Sequence, residues 1–405
     1  MNALDQRFDL PDNPPWSARA LFRLLARLDS GRLVLTTPDG IRRSFQGERD
    51  GPTAEFAIRD WSALGRIARG AEIGVFECWR DGLIATPDMT AFLLLCARNH
   101  AALESVFHGN ALSALALRIA HALRPNTRAG ARRNIHAHYD LGNAFYGLWL
   151  DPGMTYSSAL FDGDFSLSMQ SGQDAKYDRL LDLLEVDASH SVLEIGCGWG
   201  AMAERAAATR GCKVTGLTIS RAQLEHARAR IEAAGLADRV SLSFCDYRDA
   251  VGQYDRIVSI EMVEAVGERY WPEYFRVLRE RLKPGGRAAV QSIVIAEPAY
   301  ERYRRSSDFI REYIFPGGML PSVERFGAAA RAAGLEVRTP HLFGRDYAET
   351  LRRWRVSFEA AVARVRALGF DERFLAAWRF YLHYCEAGFD SGRVDVMQVE
   401  LVRPG

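Results

Sequence analysis

Two hydrophobic periods alternate along the first hundred residues. Residues 21–28 (LFRLLARL) carry apolar side chains at helical spacing, whereas 32–38 (RLVLTTP), 44–48 (SFQGE) and 54–60 (AEFAIRD) alternate as strands do. Pro38-Asp39-Gly40 supplies a turn between the first two strands. The longest apolar run, 91–97 (AFLLLCA), falls well short of the roughly 18 residues needed to span a bilayer and predicts a buried helix. Residues 111–124 (ALSALALRIAHALR) show helical apolar spacing with arginine on the other face, and 126–134 (NTRAGARRN) break it. The pattern predicts a small α+β unit over 1–105 and a connector over 106–150.

From Ser189 the rhythm becomes strand, helix, strand. Strands are predicted at 191–195, 213–218, 240–246, 255–261 and 287–295, with helices at 200–210, 220–235 and near 270–282. Ser220 and Gly235 bracket the second of these helices as N-cap and C-terminal stop. Further helices follow near 323–333, 346–368 and 371–388, and 394–402 (VDVMQVELV) alternates as a closing strand. Such an alternation makes a parallel, doubly wound sheet. The third expected unit is therefore an α/β domain over 151–405.

Composition changes this picture little. The chain of 405 residues is 48% hydrophobic and 25% charged, as soluble globular domains are. Six cysteines lie scattered without CxxC pairs, which fits neither a disulfide framework nor a zinc site, so no metal is expected. The first 16 residues lack the apolar core of a signal peptide, and a cytoplasmic enzyme is expected. A net charge of +1 excludes a globally basic nucleic-acid binder. The charge is unevenly placed, however. No Asp or Glu occurs between Ser105 and Tyr139, a stretch holding Arg118, Arg124, Arg128, Arg132 and Arg133.

The strongest chemical signal is Glu194-Ile195-Gly196-Cys197-Gly198-Trp199-Gly200. It ends the first predicted strand of the α/β domain and opens a helix, the place where doubly wound sheets bind ligands. Gly196 and Gly198 permit close approach of the backbone, and Gly200 lets helix pack on strand. The close glycine spacing suits a single nucleoside better than a pyrophosphate, and Glu194 suits a cationic amino-acid moiety. Thr218 and Gln223 stand at the end of the next strand, where ribose hydroxyls are held. Asp246 and Tyr247, at the end of the third, suit an adenine amino group and ring. Together these positions describe an S-adenosylmethionine site of a Rossmann-like fold.

At these residues the chain resembles the cyclopropane-fatty-acid synthase family of S-adenosylmethionine-dependent methyltransferases. The resemblance covers roughly 130–402, through 138–161 (HYDLGNAFYGLWLDPGMTYSSALF), 192–200 (VLEIGCGWG), 254–267 (YDRIVSIEMVEAVG), 282–286 (LKPGG) and 312–322 (EYIFPGGMLPS). It implies a seven-stranded class I methyltransferase fold. The accessory unit at the N-terminus is like that of the long bacterial members. The implied reaction is methyl transfer to a cis double bond of a phospholipid acyl chain through a carbocation, closing to a cyclopropane. Such chemistry needs a dry site and aromatic faces, which Trp149, Tyr156 and Phe161 offer. The resemblance places Tyr156 and Ser157 against the methionine part of the cofactor.

The same resemblance implies a bound bicarbonate as proton acceptor, held by a Cys, a Glu, a His and a Tyr. Here Ser158 stands for the Cys, Glu264 keeps the Glu, Gln291 stands for the His and Tyr347 keeps the Tyr. Ser and Gln still donate hydrogen bonds to an oxyanion. The expected product is the ring; the changed set leaves two alternatives, a methyl- or methylene-branched chain (a furan fatty acid precursor) or a catalytically dead regulatory protein that binds cofactor or lipid. The expected partners are an unsaturated phospholipid and an anionic membrane face on the cytoplasmic side, approached peripherally through the arginine-rich connector. No nucleic acid is expected, and the state of assembly, a homodimer included, is left open.

Overall fold

The computed structural model describes residues 16–100, 102–103 and 141–405. The predicted helix 111–124 and the five arginines of the connector lie outside them. The described residues group into two compact units. The second is not the continuous 151–405 stretch expected, because 306–309 and 371–391 group with the first.

In the first unit, helix α1 (Trp16–Leu25) precedes a sheet of order β2-β1-β3-β4. Its strands are β1 (Ser30–Thr36), β2 (Arg42–Gln46), β3 (Arg49–Ile58) and the short β4 (Ile84–Ala85). Leu33 and Leu35 of β1 are buried, as the alternation requires. Helix α2 (Ser62–Arg80) and helix α3 (Met89–Arg98) pack with the helix Glu372–Asp390. The reason the last helix joins this unit is aromatic and polar. Phe380 meets Phe309 and Phe76 at ring-centroid distances of 4.7 and 5.3 Å, and His383 Nδ1 lies 2.7 Å from the Thr90 hydroxyl of α3.

The second unit is built on β5 (Ser191–Ile195), β6 (Lys213–Thr218), β7 (Val240–Phe244), β8 (Tyr254–Ile260), β9 (Leu282–Ile295), β10 (Glu336–Val337), β11 (His341–Leu342) and β12 (Val394–Val402). The order is β7-β6-β5-β8-β9-β12-β10, with β11 pairing β12 off this path. Strands β5 to β9 pair in parallel, and β12 enters antiparallel to β9. This is the Rossmann-like seven-stranded arrangement expected, with one short extra strand. Interior strands buried on both faces read as continuous apolar runs, as Leu193, Ile257 and Val258 show with 0% exposure each. Among its helices are α4 (Met169–Leu183), α5 (Ala201–Arg210), α6 (Arg221–Ala233) and α7 (Gly344–Ala367). Ser220 caps α6 by accepting from Gln223 N. The strand order reverses at β5, between β6 and β8, which opens a crevice at the carboxyl ends of these strands.

Candidate active site

That crevice is a cleft enclosing about 1180 Å³, its open mouth included. Of the ten residues read as cofactor-binding, Tyr156, Ser157, Glu194, Gly196, Gly198, Thr218, Gln223, Asp246 and Tyr247 line it. Gly200 lies behind the lining. It starts α5 with φ +87°, and a Cβ there would sit 2.9 Å from Ala227 Cβ on α6. Gly200 therefore sets the packing of two helices, where the sequence suggested packing of helix on strand and contact with the cofactor.

Each polar wall group is positioned by a neighbour. Thr218 Oγ1 donates to Gln223 Oε1 at 3.0 Å. Asp246 caps a short helix and is clasped by Arg248 at 2.6 and 2.9 Å, a buried bidentate pair. Asp151 accepts from Gly153 N and Thr155 N, which folds the 153–157 segment against the cleft. Of the three aromatics read from the sequence as faces for the cation, only Tyr156 lines the cleft. Trp149 packs against Tyr146, Tyr156 and Trp354 with ring centroids 5.7–5.8 Å apart. Phe161 is covered by the guanidinium of Arg353, 4.4 Å from its ring.

A buried lysine missed from the sequence underlies this wall. Lys176, on α4, has 0% exposure. Its Nζ donates to Ser157 Oγ at 2.7 Å and to Gln173 Oε1 at 2.6 Å. Since Ser157 Oγ accepts from Lys176, its own hydroxyl proton is left to donate into the cleft. Burial pulls the Lys176 ammonium down to about 7, opposed by the charges of Glu261, Asp151 and Glu194. Burial likewise pushes Glu194 up to about 8, although Lys176 lowers it. One Glu194 oxygen is buried with no hydrogen-bond partner among the described residues.

The four residues read as an oxyanion cradle are placed differently from expectation. Ser158, Gln291 and Tyr347 do converge, but onto a carboxylate of the chain itself, Glu261. Its Oε1 accepts from Ser158 N at 2.9 Å and from Gln291 Nε2 at 2.9 Å. Its Oε2 accepts from Tyr347 OH at 2.7 Å. The Ser158 hydroxyl instead turns to Ala159 O, so it is the backbone, not the side chain, that donates. Glu264 stands apart from the three. It accepts from Ile293 N, and burial plus the neighbouring Glu261 charge push it up to about 8. A bicarbonate therefore does not fit the four residues: the three donors are already bonded to Glu261. The clue in the sequence was a second glutamate three positions before Glu264.

Glu261 is held without slack. It follows β8 with φ +50°, an unusual conformation for a residue with a side chain. Its N–H donates to Gln291 O at 2.8 Å. Register puts Gln291 of β9 directly opposite Gln398 of β12. Gln398 Nε2 donates to Gln291 Oε1 at 2.9 Å, and Arg179 donates to Gln398 Oε1 at 3.0 Å. An arginine only donates. Both amides are thus oriented in sequence, and Gln291 must present its NH₂ to Glu261.

Comparison with known proteins points to the same fold and cofactor. Residues 126–399 match the family model of mycolic acid cyclopropane synthetase. The chain is 40% identical over 358 residues to tuberculostearic acid methyltransferase UfaA1 of Mycobacterium tuberculosis, covering 84% of this chain and 81% of that one. It is 32% identical over 353 residues to cyclopropane-fatty-acyl-phospholipid synthase of Escherichia coli, covering 86% and 88%. Among solved structures, mycolic acid cyclopropane synthase CmaA1 complexed with SAH and CTAB superposes with a TM-score of 0.63 at 30% identity. That match covers 67% of this chain and 98% of the other.

Proposed function

Because this chain belongs to the cyclopropane synthase family of S-adenosylmethionine-dependent methyltransferases that modify lipid acyl chains, we propose that it methylates the cis double bond of an unsaturated phospholipid acyl chain and releases a methylene-branched chain. The cleft suits the cofactor on its own chemistry. Glu194 offers a buried, unpartnered carboxylate oxygen for a cationic amino group, beside the donating hydroxyl of Ser157. At Gly198 an added Cβ would meet nothing within 4 Å, so the backbone there is open to a nucleoside. In this reading Tyr156 and Ser157 hold the methionine part, Thr218 and Gln223 the ribose, and Asp246 and Tyr247 the adenine. S-adenosylmethionine, when bound, supplies an electrophilic methyl group.

The observation that carries the branched outcome is the occupation of the oxyanion cradle by Glu261. Methyl addition to an alkene leaves a cation on the neighbouring carbon. Prompt removal of a proton from the new methyl closes a ring. A hydride shift first moves the charge to the methyl-bearing carbon, which is more substituted and more stable. In this reading the three hydrogen bonds fix the Glu261 carboxylate in one place, so that, unlike a loosely held anion, it does not follow the first cation and takes its proton only after the shift. Loss of a methyl proton then leaves an exocyclic methylene. The similarity to the tuberculostearic acid methyltransferase points the same way.

Ring and methylene products have the same mass, so the test uses reactivity. Purified enzyme is incubated with S-adenosylmethionine and vesicles of a monounsaturated phospholipid. The released fatty esters are then examined by proton resonance and mild catalytic hydrogenation. The expected ester shows vinylidene protons and takes up hydrogen. An ester with upfield ring protons that resists hydrogenation assigns the ring instead, and no methylated ester at all assigns a regulatory role.

The arginine-rich connector makes a cytoplasmic, peripheral approach to an anionic membrane face the fitting delivery route. Each charge near such a surface contributes about 1 kcal/mol. No described helix is long and apolar enough to cross a membrane. Reversing Arg128, Arg132 and Arg133 to Glu is expected to weaken co-sedimentation with anionic vesicles at least tenfold. Binding that ignores this change, anionic lipid and salt alike excludes the connector as the docking element.

A further inference from the structure

We propose that Glu261 is the proton acceptor of the reaction, a base built into the chain where a diffusible anion would otherwise be needed. This rests on the lipid C-methylation read above. The inference starts from atoms. Glu261 lines the same cleft as Glu194, Ser157 and Tyr156, so it borders the space where chemistry takes place. A carboxylate has about four lone-pair positions. Ser158 N and Gln291 Nε2 take both on Oε1, and Tyr347 takes one on Oε2. One position on Oε2 remains, among the described residues, to receive a proton.

The donors do more than occupy. They hold the carboxylate in one orientation, and the Arg179–Gln398–Gln291 relay prevents the amide from turning its oxygen toward Glu261. A water or a free anion would have to be recruited and oriented at each turnover, whereas this group is in place before substrate binds. Lys176 and Glu264 are the charged groups around it. Burial pushes the Glu261 carboxyl above its ordinary range, opposed by its three hydrogen bonds and the Lys176 charge, and the Glu261 charge in turn raises Glu264.

The step balances. A C–H bond of the transferred methyl breaks and its proton passes to Glu261 Oε2. The electron pair of that bond becomes the second bond between the methyl carbon and the chain carbon that carries it, which cancels the positive charge the hydride shift placed there; without the shift the same pair would close the ring. Glu261 returns the proton to water through the open mouth of the cleft once product leaves.

The experiment uses the full chain, with unsaturated phospholipid vesicles and S-adenosylmethionine, in buffer stripped of carbon dioxide and again with added bicarbonate. Wild-type turnover is expected to be the same in both. Glu261→Gln keeps the side-chain shape but cannot accept the proton. It is expected to lose turnover by about 100-fold or more while calorimetric affinity for S-adenosylmethionine changes less than about threefold. Glu261→Gly opens the cradle and is expected to regain part of its turnover on addition of bicarbonate or formate, a rescue that a structural role for Glu261 does not produce. Wild-type turnover that depends on bicarbonate, near-normal turnover in Glu261→Gln, or absence of rescue in a Glu261→Gly protein that still binds cofactor overturns the proposal. The product test is independent: a cyclopropane product overturns the branched reading and leaves Glu261 as base, whereas an active Glu261→Gln variant does the reverse.

Discussion

Gly196→Val abolishes measurable binding of S-adenosylmethionine while the second unit stays folded. Two effects combine at this residue. Its φ is +82°, where a β-branched side chain is a genuine outlier, and such strain costs about 1–3 kcal/mol. A Cβ there would also lie 2.5 Å from Met262 Sδ and 2.6 Å from Met262 Cγ. Met262 is itself part of the lining, so relief moves its side chain and spoils the wall. Expected is a loss of affinity of about 100-fold or more, equivalent to about 2.7 kcal/mol, in calorimetry. Thermal unfolding should show a lower but still cooperative transition. Gly198→Ala separates strain from contact: its φ of +50° strains any residue with a side chain, but its Cβ meets nothing within 4 Å. It should fold with a loss of stability of about 1–2 kcal/mol and bind more weakly only if ligand fills that space. Gly196→Val protein that binds as well as wild type would remove the glycine turn from the cofactor site.

Much of the nucleotide-binding half was legible because each signal there is local. β5, β6 and β12 occupy the residues predicted from apolar runs and alternation. Gly200 and Gly211 bracket α5, and Ser220 forms the cap its side chain can make. Helix α4 was not legible, because its inward face carries Gln173 and Lys176 among Tyr177, Leu180 and Leu181. Polar residues that serve the site erase the apolar stripe on which a helix reading depends. Glu261 escaped for a related reason. Nothing in the string Ile260-Glu261-Met262-Val263-Glu264 says which glutamate the strand end turns inward. That depends on a positive φ at 261 and on donors arriving from residues 158, 291 and 347, far away in the chain. The grouping of the helix 372–390 with the first unit is equally non-local, since it rests on Phe76 and Phe309 meeting Phe380.

Lys176→Met is the second large effect, and its signature is a dependence on pH. Methionine fills most of the lysine's volume but removes the donor of Ser157 Oγ and Gln173 Oε1. It also removes the buried positive charge that lowers Glu194, Glu261 and Asp151. Leaving buried charges without a partner costs about 3–5 kcal/mol. The sign with pH follows from the native values. Glu194 is raised, to about 8, so its contribution to stability is full below the ordinary carboxyl range and is lost as pH rises through about 8. Without Lys176 its native value rises further, and the loss at alkaline pH grows. The wild-type lysine is lowered, to about 7, so its own burial weighs against the fold most heavily below 7 and is relieved as pH rises toward its ordinary value. The methionine variant lacks that acid-side penalty. Both contributions therefore run in the same direction. The variant is expected to unfold at nearly the wild-type temperature near pH 6 and well below it near pH 9. Turnover should be depressed at both, because the Ser157 hydroxyl is no longer held toward the cleft. A thermal deficit of equal size at the two pH values would reduce Lys176 to a packing element and remove it from the electrostatics of the site.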